Sequence, residues 1–98
     1  MYKTKEQRLK DGETFISREP GNSMTPRLKS RQPVTLAPIT WDKVSVGSIV
    51  YCKIRGKCYT HLVKAIDQKR GVLIGNNHGY DNGWTKKVYG VVIKIHKV

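Results

Sequence analysis

The sequence predicts a compact, all-β domain. From Gln32 onward the chain consists mostly of short runs rich in β-branched and apolar residues. Turn-forming residues separate nearly all of these runs. Helix-favouring polar residues are concentrated in the first dozen positions, so the remainder reads as sheet.

In chain order, Thr14-Phe15-Ile16-Ser17 predicts a short strand that ends before Pro20-Gly21. The stretch from Pro26 through Pro38 reads as an irregular connection leading into the sheet, with a strand over 34–37. Further strands are expected over 48–54, 58–66, 72–74 and 88–95. Arg55-Gly56 predicts a hairpin turn and Lys69-Arg70-Gly71 a second one. The Asn- and Gly-rich stretch 76–83 reads as a longer loop without regular structure. A chain of 98 residues supports one modest core, hence a single domain over 1–98, with flexibility expected at the ends and in 1–13 above all.

Hydrophobic residues make up 38% and charged residues 27% of the chain, a balance that favours a packed domain over a disordered tail. Nineteen Lys and Arg against seven Asp and Glu leave a net charge of +12, which surrounds a small body with a strong positive potential. Nucleic acid is therefore a candidate partner through the basic surface, with Tyr80, Trp84, Lys86 and Lys87 as contact residues. The cations are scattered rather than clustered, which equally suits a solubilising surface. Trp41, before Asp42-Lys43, is expected to anchor the core. The N-terminus is polar and no apolar run approaches the roughly 18 residues of a membrane span, so a cytoplasmic protein with no membrane contact is expected.

Cys52 and Cys58 flank the expected Arg55-Gly56 turn and lack the paired Cys or His neighbours of a zinc site. Reduced thiols are expected, with a cross-hairpin disulfide as the alternative. His61, His78 and His96 come from separate segments without ligand spacing, so neither metal nor cofactor is expected.

Two residues carry candidate chemistry. In Gly21-Asn22-Ser23-Met24-Thr25-Pro26 a serine stands between a permissive glycine and a stiffening proline, a setting that displays a hydroxyl on a fixed turn. A serine in such a turn also serves commonly as a cap. His61 lies in Cys58-Tyr59-Thr60-His61-Leu62-Val63-Lys64-Ala65-Ile66, where alternation puts His61, Val63 and Ala65 on one face and Leu62, Lys64 and Ile66 on the other. By itself that pattern also fits a histidine that merely packs on a strand.

The Gly21-Asn22-Ser23-Met24-Thr25-Pro26 segment resembles the G-x-S-M-x-P signature of the signal-peptidase and repressor-cleavage (LexA-like) serine peptidases. Val46-Gly47-Ser48-Ile49-Val50 is similar to their following G-D-x-V strand, with Ser48 in place of the aspartate. Tyr59-Thr60-His61-Leu62-Val63 resembles the members that use histidine rather than lysine as the base. Gly75-Asn76-Asn77 and Asp81-Asn82 resemble the closing G-D-N-N and D-D segments, and Val88-Tyr89-Gly90-Val91-Val92 matches V-x-G-x-V. The resemblance runs from about Gly21 to Ile95. It implies a domain built on a small, irregular, barrel-like sheet, in which Ser23 is the nucleophile and His61 the base of a peptide-bond hydrolase.

Asn76 stands where a family aspartate is expected, and the later aspartate falls on Asn82, or on Asp81 if the loop shifts by one. The candidates to orient His61 are therefore Asp81, Asn76 and Asn82. Backbone groups around Ser23, at Met24, and the Asn22 side chain are candidates for holding an oxyanion. Lys64 is the alternative base, on the opposite face of a regular strand from His61 unless a bulge intervenes. Membrane anchor and self-cleavage Ala-Gly pair are both missing, so neither family role carries over directly. The expected function is that of a soluble serine endopeptidase acting on a peptide or protein. The alternatives are an inactive member that binds a protein partner, through an extended peptide added to a sheet edge, and a basic nucleic-acid-binding β module.

Overall fold

The structure, a computed structural model, describes residues 3–18 and 31–96. The chain opens with helix α1 (Lys5–Lys10), started by the Thr4 hydroxyl, which accepts a hydrogen bond of 3.1 Å from the Gln7 N–H. The helix lies within the 1–13 segment and sends Leu9, 2% exposed, into the core. Seven strands follow: β1 (Phe15–Arg18), β2 (Pro33–Pro38), β3 (Ile49–Ile54), β4 (Lys57–Asp67), β5 (Gly71–Gly75), β6 (Asp81–Thr85) and β7 (Val88–Ile95). A single 3₁₀ turn, Trp41–Lys43, links β2 to β3.

The strands form one antiparallel sheet in the order β1-β2-β7-β3-β4-β5-β6. The all-β expectation holds, and the sheet is irregular, with register shifts in the β2–β7, β3–β7, β4–β5 and β5–β6 pairings. Such bulges tighten the local twist and bend the strands. The sheet curls without closing into a barrel. Its far end comes over β3, where the Thr85 hydroxyl donates to the Lys53 carbonyl at 2.8 Å. One expectation is corrected: the 76–83 stretch is not wholly a loop, because β6 begins at Asp81 and pairs with β5. The strand expected over 34–37 is β2, one residue longer at each end. Pro33 and Pro38 occupy the two ends of β2, where a missing N–H costs the ladder least.

Alternation along β3 distributes the core over both faces of the sheet. Ile49 and Tyr51 join Leu9, Phe15, Val34, Leu36 and Leu62 on one face, under α1. Val50, Cys52 and Ile54 join Val44, Val63, Val72, Ile74 and Val88 on the other, with Ile39, Trp41 and Tyr59 packed against them. Trp41 thus anchors the second core from its edge, as expected. Under Leu9 the sheet has Gly90, where a Cβ would lie 2.8 Å from the Leu9 side chain, so the helix can sit close only on bare backbone.

Candidate functional site

The site is built where β3, β4 and β6 meet on the second face. The β3–β4 hairpin turns through Arg55-Gly56, both at positive φ as the expected two-residue turn requires. That turn sets the register Val50↔His61 and Cys52↔Tyr59, which puts His61 on the Val50 face between Tyr59 and Val63. The imidazole is half-buried, its ring centroid 5.1 Å from that of Tyr59.

His61 Nδ1 lies 2.8 Å from Asn82 Oδ1. An amide oxygen only accepts, so Nδ1 carries the proton of the neutral ring and Nε2 carries the lone pair. Burial pushes the imidazole below its ordinary range, opposed in part by the hydrogen bond to Asn82. The ring is therefore neutral near pH 7 and basic at Nε2.

Of the three candidates to orient His61, Asn82 takes the position. Asn76 is committed to its own loop: its Oδ1 accepts from the backbone N–H groups of His78 (2.8 Å) and Tyr80 (2.9 Å). The Asp81 carboxylate pairs with Lys64 Nζ at 3.1 Å. Asn82 reaches His61 because β6 bulges there: Ile74 pairs with Gly83 and Gly75 with Asp81, leaving Asn82 as the extra residue of the ladder. Lys64 is likewise the extra residue between Val63↔Ile74 and Ala65↔Leu73, so the alternation expected through Ala65 and Ile66 is reset beyond Val63. The structure pairs Lys64 with Asp81.

Ser23, Asn22 and Met24 lie outside the described residues. Two residues that sequence reasoning left as framework belong to the site. Tyr59 flanks the imidazole, and Arg55 Nη2 donates to the Asn82 carbonyl at 2.9 Å. Alternation from His61 could have signalled Tyr59, but no local pattern marks the reach of Arg55 from a hairpin tip to another strand.

Other expectations bear on what the surface offers. The Arg70 guanidinium lies 4.0 Å from the ring centroid of Trp84 and Lys86 Nζ lies 5.2 Å from that of Trp41, while Tyr80 is 63% exposed. Cys52 pairs with Tyr59 and Cys58 with Lys53, so the two sulfurs leave opposite faces of the hairpin, and both thiols are free. Burial pushes the Cys52 thiol up to about 12, and the neighbouring Cys58 adds to the shift. Among the described residues, no group of three or more His, Cys, Asp or Glu side chains is placed to hold a metal ion. Nor, among them, is any helix long and apolar enough to cross a membrane.

No family model matches the chain, no curated protein matches it, and no solved structure matches it.

Proposed function

We propose that the chain is a serine-endopeptidase-like domain in which Ser23 is the nucleophile and His61 the general base. The observation that carries this reading is the 2.8 Å contact between His61 Nδ1 and Asn82 Oδ1. It joins the histidine of the motif to the residue at the motif's later acidic position, and it leaves Nε2 as the basic nitrogen. In the proposed reaction Nε2 takes the proton from the Ser23 hydroxyl as Oγ attacks a peptide carbonyl, then returns it to the departing amine. Water, activated by the same nitrogen, releases the acyl group and regenerates Ser23. An amide orients the imidazole as the asparagine of Cys-His-Asn peptidases does, but it does not compensate the imidazolium charge as a carboxylate would. A slow enzyme is the consequence.

A fluorophosphonate probe, which needs no knowledge of the substrate, tests the proposal. Mass spectrometry should find the probe on Ser23, labelling should vanish in Ser23→Ala, and His61→Ala should slow it by about 10²–10⁴-fold. Labelling that survives Ser23→Ala, or its absence from the folded wild-type protein, overturns the reading. Absence would leave the two non-catalytic alternatives, a protein-binding member or a nucleic-acid-binding module.

A further inference from the structure

We infer that Arg55 is a positioning residue, holding the backbone of Asn82 so that the Asn82 amide selects the tautomer of His61. Three features converge. As the extra residue of the β5–β6 ladder, Asn82 has no register partner in β5. Its carbonyl instead accepts from Arg55 Nη2 at 2.9 Å. Next to it, Gly83 has φ +134° and no side chain, and a Cβ there would lie 3.4 Å from Arg55 Nη1. The guanidinium thus lies against bare backbone at 82–83, strapping the tip of the β3–β4 hairpin across to β6.

The consequence follows from geometry. A bulge disrupts the ladder locally, so its extra residue is less constrained than its neighbours, and a side-chain hydrogen bond weakens steeply when its angle drifts. The strap restrains it. His61 itself is held by β4 through its Val50 register, so fixing the backbone of Asn82 fixes the only other half of the pair. Among the described residues, the Arg55 guanidinium bonds the Asn82 carbonyl rather than the imidazole. It acts through Asn82, and a Lys there would supply a single donor nitrogen in place of a planar fork.

The inference concerns the His61–Asn82 pair and stands whether or not Ser23 is a nucleophile. Only its effect on rate rests on the peptidase reading. The test is the ring ¹⁵N spectrum of His61 in the full chain. Wild type should show one protonated and one lone-pair nitrogen, with Nδ1 the protonated one. Arg55→Asn keeps a residue suited to the left-handed turn while removing the guanidinium. It should draw the two ¹⁵N shifts toward a common average, and Arg55→Lys should restore part of the separation. Asn82→Ala should abolish the Nδ1–H preference, and adding Arg55→Asn to it should change nothing more, the non-additivity expected of residues acting in series. A wild-type ring of the other tautomer, an unchanged spectrum in Arg55→Asn, or full additivity in the double variant would overturn the inference. Loss of probe labelling in the preceding experiment would leave it intact.

Discussion

Among the described residues, one face of the sheet is covered by a six-residue helix whose buried contribution is Leu9, and the other by the sheet itself, as β5 and β6 curl over β3. The helical cover is a separate local element, joined to the sheet by that side chain, by the Glu6–Lys53 ion pair at 2.6 Å and by Lys5, Arg8 and Lys10 lying over the rings of Tyr51, Phe15 and Tyr89. The curled cover is continuous with the ladders it protects. The pair His61–Asn82 belongs to the second kind, spanning β4 and β6 on the face where the sheet closes on itself. A site held by strands of one cooperative sheet is less exposed to local opening than one under a short helix.

The largest test of this contrast replaces one side chain in each core. Ile74→Ala, at a fully buried position of the curled face, should cost about 2–5 kcal/mol in urea unfolding and accelerate amide exchange across β3, β4 and β5 together. Leu9→Ala should cost no more than about 2–3 kcal/mol, because α1 can release without opening the sheet, and exchange should rise chiefly in α1. Equal losses with the same exchange pattern would break the comparison.

A smaller effect is expected from pH. Because burial holds His61 below its ordinary value of 6.5, the unfolded chain takes up this proton at a higher pH than the folded one. Stability is therefore greatest above 6.5 and falls as pH drops from there through the lowered folded value, below which the loss is complete. Glu6, through its hydrogen bond to Lys53, and Asp67, through backbone hydrogen bonds from Lys69 and Arg70, are held below the carboxylate range, so their contributions are lost only at lower pH. Melting curves between about pH 7.5 and 5.5 should slope downward toward acid in wild type and lose that component in His61→Gln. An identical slope in the variant would remove His61 from the account.

The smallest perturbation leaves the fold intact. Iodoacetamide should label half-buried Cys58 while Cys52, fully buried and with its thiol pushed up to about 12, reacts only after unfolding. Equal labelling of both in the native state would indicate that the curled face opens more readily than proposed.

Much of this architecture was legible in short-range patterns. Period-two runs predicted β2, β3, β4, β5 and β7 to within a few residues, and Arg55-Gly56 predicted the turn whose register carries His61. The strand β6 was missed because Asp81-Asn82-Gly83 is turn chemistry by composition, and only pairing with β5 makes it strand. The same bulged pairing decided which of Asp81 and Asn82 faces the imidazole, a choice that motif spacing left open.

The sequence by itself determined an all-β chain, its turns, and a motif order that puts His61 on a strand ahead of an Asn- and Asp-bearing segment, because these depend on residues close together in the chain. Tertiary structure alone decided that the Asn82 amide lies against His61 Nδ1, that Lys64 and Asp81 pair with each other, and that Arg55 donates to the Asn82 carbonyl. Bulges and sheet curl arise from the sum of many cross-strand contacts, and a shift of one residue in register exchanges the side chain that reaches the ring.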